Sequence, residues 1–83
     1  MVNEKMIELK NEEKYKLVNQ FLFNYAFEND MYGEIESKGA YYQGGDELEI
    51  YTQFELKNVF IKGENKQAIN NLEKELNKIN NQN

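Results

Sequence analysis

The clearest structural pattern in the sequence is Glu47-Leu48-Glu49-Ile50-Tyr51-Thr52-Gln53-Phe54-Glu55-Leu56. Apolar side chains and one threonine alternate here with acidic or amphipathic ones, a period of two that is typical of a strand with one dry and one wet side. We therefore predict a central strand, and we expect its dry side to pack against the rest of the domain through Leu48, Ile50, Phe54 and Leu56.

The segments on either side of this strand also have strand character. Residues 32–43 predict one or two strands, interrupted at Lys38-Gly39. Gln43-Gly44-Gly45-Asp46 predicts the hairpin turn before the central strand, because glycine supplies the positive φ values that tight turns require. After the central strand, Lys57-Asn58 predicts a second tight turn and Val59-Phe60-Ile61 a short third strand. We expect a three-stranded antiparallel meander.

A helix is predicted before the meander. Asn11 is a candidate N-cap, and Glu12 and Glu13 suit the positive end of a helix dipole. The helix should run to about Glu28, with an apolar stripe at helical spacing that consists of Tyr15, Val18, Phe21, Leu22, Tyr25 and Ala26. Phe23 and Phe27 lie outside this stripe. They are either core residues at the end of a small domain or a partner surface, since aromatic side chains are enriched at interfaces.

A second helix is predicted after the meander, from about residue 65 to residue 80. Its apolar side chains recur at spacings of three and four, at Ile69, Leu72, Leu76 and Ile79. This pattern favours a helix laid across the sheet, and a homodimer seam is the alternative. Residues 80–83 are polar and expected to fray. Residues 1–10 are left open between a strand and an extra helical turn.

The order of these elements predicts a single small α+β domain over residues 1–83. Helix, three-stranded antiparallel meander and helix would form two layers, with both helices on the apolar side of the sheet. A chain of 83 residues has room for one thin core. No cysteine is present to add a disulfide or a zinc site, which fits a reducing compartment.

The missing residue types restrict the chemistry. The chain has no His, Cys, Trp, Pro or Arg. Nucleophile–histidine pairs, thiolate chemistry and zinc-bound water are therefore excluded. No guanidinium is available to grip a phosphate or carboxylate by two bonds. Besides the tyrosines, the side-chain hydroxyls are Ser37 and Thr52. We expect no catalytic residue, no cofactor and no metal ligand, and therefore no enzyme.

The charge balance points to a protein partner. The net charge is −5, from 15 acidic residues and 10 lysines. Direct nucleic-acid binding normally needs a basic surface, so a basic protein suits this chain better. No apolar run is long enough to span a membrane, and Met1-Val2-Asn3-Glu4-Lys5 does not have the character of a signal peptide. A cytoplasmic location is expected. Abundant Asn and Lys, without Arg, are typical of an AT-rich genome, such as a phage of a low-GC bacterium.

Gly44-Gly45-Asp46-Glu47-Leu48 resembles the hairpin signature of the GGDEF diguanylate cyclases. The resemblance covers five residues and implies glycines that admit a nucleotide and acids that hold metal. The chain is about half the length of such a domain, and no upstream helix–strand unit carries the second metal-holding aspartate. A hairpin turn explains the glycines. A metal-dependent enzyme that uses this hairpin is the distant alternative.

Other acids lie close together in sequence without a ligand spacing. Glu28 is near Asp30, and Asp46 and Glu47 are near Glu49. None of these groups has the twelve-residue calcium-loop pattern. We expect them to be solvated.

The strongest candidate is the wet side of the central strand. If Ile35 points inward, acids of the neighbouring strand join those of the central one, and tyrosines add flat amphipathic surface. Alternate residues of a strand are about 6.6 Å apart, a separation of the same order as successive phosphates in a nucleic acid. The candidate partner-binding residues are Glu34, Glu36, Tyr41, Tyr42, Asp46, Glu47, Glu49, Tyr51 and Glu55. The alternative is a solvated sheet surface whose charges prevent aggregation.

The sequence therefore predicts a non-enzymatic protein-binding module. A small acidic inhibitor from a phage or mobile element, of the anti-defence or anti-CRISPR type, would occupy a basic nucleic-acid-binding site on its partner as a nucleic-acid mimic. The likeness to such inhibitors lies in size, charge and origin, and no motif carries it. A structural or regulatory homodimer, joined by the last helix or by Phe23 and Phe27, is the alternative.

Overall fold

The computed structural model describes residues 2–44 and 48–82. In these ranges the chain forms five strands and two helices, which confirms the α+β class. The elements are β1 (Asn3–Glu8), α1 (Glu12–Glu28), β2 (Tyr32–Glu36), β3 (Gly39–Gly44), β4 (Leu48–Gln53), β5 (Asn58–Gly63) and α2 (Lys66–Asn80). The strand order in the sheet is β1-β5-β4-β3-β2, and all neighbours are antiparallel.

The sheet has two more strands than the predicted meander of three. Residues 32–43 form two strands, β2 and β3, which pair across a turn at residues 37–38. Residues 1–10, left open from the sequence, contain β1. This strand pairs with β5, with Asn3 opposite Gly63 and Glu8 opposite Asn58. Its partner β5 is remote in the chain, and six residues are too few to separate a strand from a helical turn by their own pattern.

Both helices begin at a capping asparagine. Asn11 accepts a hydrogen bond from the Lys14 amide at 2.9 Å, as predicted for an N-cap, and α1 ends at Glu28 as expected. Asn65 accepts from the Ala68 amide at 3.0 Å at the start of α2. In each case the side chain satisfies an amide that has no partner inside the helix.

The core lies between the helices and one side of the sheet, which we call the covered face. α1 packs against β3 and α2, while α2 packs against β1 and β5. The two helices bury their apolar stripes on the covered face, as predicted. The buried side chains of the sheet on this face are Ile7, Ala40, Tyr42, Leu48, Ile50, Thr52, Val59 and Ile61.

The central strand is shorter than predicted. β4 ends at Gln53, and residues 54–57 form a turn in which the Lys57 amide donates to the Phe54 carbonyl at 3.3 Å. Lys57 adopts a positive φ of 50°, which reverses the chain. The expectation that Leu56 packs in the core is wrong, because its side chain is 69% exposed. Phe54 does contact the core, but from the turn, with its ring edge-on to Tyr15 at 5.3 Å.

One polar group is built into the covered face. The Thr52 hydroxyl donates to Asn19 Oδ1 at 3.1 Å and accepts from the Ala40 amide at 3.1 Å. It also lies 3.0 Å from the Tyr15 hydroxyl, which donates to it because the single threonine proton is already used. These bonds tie α1 to β3 and β4. A buried hydroxyl is tolerated here because its partners are all in place.

The burial of the helix side chains bears on two open alternatives. Ile69, Leu72 and Leu76 of α2 are buried against the sheet, so they are not available for a seam between two copies. In α1, Phe23 is 50% exposed and Phe27 is 80% exposed. Neither is a core residue. Among residues 2–44 and 48–82, no helix combines the length and the apolar character needed to cross a membrane.

Candidate functional site: the open face of the sheet

The side of the sheet opposite the helices is not covered by any element of the described chain, and we call it the open face. Side chains alternate along each strand, so the cross-strand register identifies its members. Within residues 2–44 and 48–82, the strand residues of the open face are Glu4, Met6, Glu8, Tyr32, Glu34, Glu36, Gly39, Tyr41, Gln43, Glu49, Tyr51, Gln53, Asn58, Phe60 and Lys62.

A row of large side chains crosses the open face at right angles to the strands. Met6 lies opposite Phe60, Phe60 opposite Tyr51, and Tyr51 opposite Tyr41, which in turn faces Glu34. The ring centroids of Phe60 and Tyr51 are 5.4 Å apart, and those of Tyr51 and Tyr41 are 6.4 Å apart. Cross-strand aromatic pairs at this separation stabilise one another. The row therefore forms an apolar strip from the edge strand β1 to β3, and Glu34 of the other edge strand, β2, lies at its end.

Carboxylates lie on both sides of this row. Among the described strand residues, the open face carries one cation, Lys62, which lies opposite both Glu4 and Glu49. The ion pairs found in the described chain are on the helices, between Lys16 and Glu12 and between Lys78 and Glu75. The open face thus has a negative rim around a tyrosine-rich centre. Its carboxylates are Glu4, Glu8, Glu34, Glu36 and Glu49.

The acids also act on the tyrosines beside them. The Tyr32 hydroxyl donates to Glu34 Oε1 at 2.5 Å, and this hydrogen bond raises the pKa of Tyr32 above its ordinary value of 10.0. Loss of hydration raises the pKa of Tyr41, and the negative charges of Glu49 and Glu34 raise it further. Both phenols are therefore neutral hydrogen-bond donors at physiological pH.

A shallow groove of about 350 Å³ lies on the open face near the β2–β3 turn, with Glu34, Glu36, Tyr41 and Tyr51 among its lining residues. Gly39 also lines it, and a Cβ at that position would lie 1.9 Å from the Thr52 carbonyl oxygen. Only glycine permits this approach of two backbones. The bare backbone at Gly39 leaves the groove open between acids and phenols.

The structure brings five of the nine predicted site residues together on the open face: Glu34, Glu36, Tyr41, Glu49 and Tyr51. Ile35 lies on the opposite side of the sheet from Glu34 and Glu36, which was the condition for placing the two acids in the predicted site. Asp46 and Glu47 lie outside the described residues.

Two predicted site residues are corrected. Tyr42 is 3% exposed and lies on the covered face, because its neighbour Tyr41 takes the open one. Glu55 is in the turn after β4, so it is not part of the strand that carries Glu49 and Tyr51.

Several open-face residues were missed from the sequence. Phe60 sits between two apolar neighbours, so a run of three apolar residues concealed which of them faces outward. The residues of β1 were missed because that strand was not assigned. They are Glu4, Met6 and Glu8. Alternation of Glu4, Met6 and Glu8 around Lys5 and Ile7 was the signal available, and six residues were too few to separate a strand from a helical turn.

Comparison of the chain with protein-family models, with curated proteins and with solved structures finds no match. In residues 2–44 and 48–82, no three carboxylates come together as a group that could hold a metal ion. The open face is an acidic and tyrosine-rich sheet surface that offers carboxylate acceptors, phenol donors and exposed ring faces.

Proposed function

We propose that this chain is a non-enzymatic protein-binding module that places the open face of its sheet on a basic surface of another protein. The observation that supports this most directly is the row from Met6 to Tyr41 with carboxylates on both sides. A sheet surface that needed only hydration would not require rings in its centre, since those rings expose apolar area to water. Tyrosine and phenylalanine at the centre with charge at the rim is typical of a protein interface.

The geometry favours tight binding of a cationic partner for two reasons. The carboxylates would attract lysine and arginine side chains and speed encounter with them. The rings of Phe60, Tyr51 and Tyr41 pack on each other and are carried by three adjacent strands, so little conformational entropy would be lost when a partner covers them. Guanidinium groups of a partner could also stack on the exposed ring faces.

The finer form of the proposal names the site on the partner. Successive open-face positions along a strand are about 6.6 Å apart, which approximates the spacing of phosphates. Glu34 and Glu36 on β2 have this relation. In a protein channel that binds nucleic acid, these carboxylates would thus lie at positions that phosphates otherwise occupy. We propose a small acidic cytoplasmic inhibitor of the anti-defence or anti-CRISPR type, encoded by a phage or mobile element.

The test captures partners from an extract of the source cells on the immobilised chain and compares it with two variants of equal charge. Glu49→Lys reverses a carboxylate beside the aromatic row, and Glu28→Lys makes the same change on the exposed end of α1. We expect Glu49→Lys to weaken the captured complex at least tenfold, because it removes one attraction and adds one repulsion. Glu28→Lys should bind as the parent chain does.

The nature of the partner's site is tested on the same complex. A single-stranded oligonucleotide should displace the chain from a nucleic-acid-binding channel, and higher salt should weaken both interactions. Equal retention of the partner by all three proteins would contradict the use of the open face. Displacement of the chain from the parent complex by salt alone, with no effect of the oligonucleotide, would contradict the nucleic-acid-mimic form and leave the basic partner.

A homodimer joined by α1 is the second candidate function, and the exposure of Phe23 and Phe27 favours it. The two rings lie one helical turn apart and would form a small apolar contact between two copies. Sedimentation at micromolar concentration should then give a dimer that Phe27→Ser converts to a monomer. A monomer for the parent chain would exclude this candidate without touching the first.

A further inference from the structure

The edge strand β2 has backbone groups that pair with no other strand of the described chain. The Phe54 amide donates to the Lys38 carbonyl at 2.9 Å, so these two residues are a hydrogen-bonded pair. The pairs of β3 with β4 follow in the same register, and hydrogen-bonded pairs alternate with pairs that are not hydrogen-bonded. Even-numbered residues of β3 therefore bond to β4, and odd-numbered ones bond to β2. The β2 partners of the odd-numbered residues are Tyr32, Glu34 and Glu36. It follows that Gly33 and Ile35 direct their amides and carbonyls away from the sheet.

The two sides of β2 differ in chemistry. All five of its residues are exposed. Toward the open face it presents Tyr32, Glu34 and Glu36, and toward the helices it presents Gly33 and Ile35. Ile35 is 67% exposed and lines a largely apolar groove of about 380 Å³ between α1 and the β2–β3 hairpin, together with Phe23. A strand laid along β2 would have acids on one side and an apolar groove on the other.

At the opposite edge of the sheet, part of the outward backbone of β1 is covered. By the same register, Glu8 of β1 directs its carbonyl outward, and there it accepts a hydrogen bond from Asn80 Nδ2 at 2.8 Å. Asn80 Oδ1 in turn accepts from the Lys10 amide at 2.9 Å. The end of α2 therefore closes part of the β1 edge, whereas β2 has no such cover in the described chain. Open edges are sites of strand addition.

We propose that β2 receives an extended segment of the basic partner protein as a sixth strand, with lysine or arginine alternating with apolar residues. The cationic side chains of that segment would meet Glu34 and Glu36, and its apolar side chains would enter the groove beside Ile35 and Phe23. Backbone bonds to Gly33 and Ile35 would fix the register. This inference rests on the proposed function in one respect, the basic character of the partner.

A second copy of this chain fits the edge poorly. In an antiparallel pair of two β2 strands, each copy would bring its own Glu34 and Glu36 to the same side of the joined sheet. Like charges across adjacent strands destabilise the pairing, and each copy carries a net charge of −5. A cationic strand removes this repulsion, which is why the partner is assigned a basic sequence.

The experiment titrates the intact chain with a peptide of four lysine-valine repeats and measures amide hydrogen exchange by NMR. Strand addition should slow exchange of the Gly33 and Ile35 amides at least tenfold at saturation, because they become hydrogen-bonded. A peptide of the same sequence with N-methylated valines cannot complete the ladder and should give no protection. A glutamate-valine peptide should not bind. Protection that is equal with the glutamate peptide would overturn the assigned chemistry.

Proline at position 35 gives an independent check in the folded chain. The Ile35 amide points away from β3, so Ile35→Pro removes an outward donor and keeps the β2–β3 hydrogen bonds. Ile35→Ala keeps the donor and loses side-chain contact. We expect the lysine-valine peptide to lose more affinity with proline than with alanine. If proline unfolds the hairpin, amide exchange in the parent chain still decides.

The outcomes separate this inference from the proposed function. Peptide-induced shifts at Tyr51 and Glu49 without protection of Gly33 and Ile35 would overturn strand addition and leave open-face binding intact. If the lysine-valine peptide does not bind at all, strand addition is overturned. The capture experiment with Glu49→Lys then still tests whether the open face binds a partner. Sedimentation of the chain alone as a dimer that protects the two amides would replace the basic segment by a second copy.

Discussion

Adjacent residues of β4 have opposite roles. Ile50 and Thr52 are buried beneath the helices, while Glu49, Tyr51 and Gln53 are half-exposed on the other side of the same strand. The buried side chains of the covered face are mainly aliphatic, with Tyr42 and the fully hydrogen-bonded Thr52 among them. The open face combines rings and carboxylates. The fold requires the first pattern, because the helices must bury their apolar stripes on it.

The contrast between the two faces indicates where a functional surface can lie. A domain of this size has one thin core, and the buried side chains of the covered face form the part of it that the sheet contributes. The row from Met6 to Tyr41 contributes only what half-buried rings gain from each other. Because the fold does not require these side chains, the composition of the row can be suited to binding a partner. Substitutions at neighbouring positions on the two faces test this division.

The largest effect is expected from Ile50→Ala compared with Tyr51→Ala. Ile50 is fully enclosed, so its truncation should lower the free energy of unfolding by about 3 kcal/mol through lost transfer energy and the cavity left behind. Tyr51 is half-exposed, and its loss should cost about 1 kcal/mol, mainly from the ring contacts with Phe60 and Tyr41. Urea unfolding of both variants measures this. Equal losses would mean that the open face is part of the core.

A smaller effect is expected from Thr52→Val. Valine has nearly the shape of threonine, so the packing of the covered face is kept while the Ala40 amide, the Tyr15 hydroxyl and Asn19 each lose a partner. Buried polar groups left in this way should lower the free energy of unfolding by about 2 kcal/mol. Thr52→Ser keeps the hydroxyl and should lose less. A valine variant as stable as the parent chain would show that water replaces the lost bonds.

The helices and the central strands were predictable because their signals are local. Asn11 caps α1 through its own side chain, and the alternation around Ile50 is a property of consecutive residues. The strand β1 was not predictable, because its partner β5 is remote and its six residues carry little apolar signal. The length of β4 was overestimated because Leu56 continues the alternation into a turn that the positive φ of Lys57 creates.

The candidate site was only half predictable for the same reason. Tyr41 and Tyr42 are neighbours of identical chemistry, and nothing in the sequence says which one faces the helices. The register with β4 decides it, since Tyr42 lies opposite Ile50 and Tyr41 opposite Tyr51. A period of two shows that neighbouring residues lie on opposite sides of the sheet. Which residue lies on which side can be assigned only from a buried residue on the strand that pairs with it.

The smallest effect is expected from the titration of Tyr41 on the open face. Its pKa is raised by loss of hydration and by the charges of Glu49 and Glu34. Because the folded pKa exceeds the ordinary value of 10.0, the stability contributed by the neutral phenol is complete below pH 10.0 and is lost as the pH rises through the raised pKa. Glu49→Gln should lower that pKa, since one of the two charges is removed, and leave stability at neutral pH unchanged. An NMR titration of the Tyr41 ring measures the shift, and Glu64→Gln, off the open face, is the control. If both variants titrate as the parent chain does, Glu49 does not act on the aromatic row, and the acids and the rings of the open face would have to be treated as separate features.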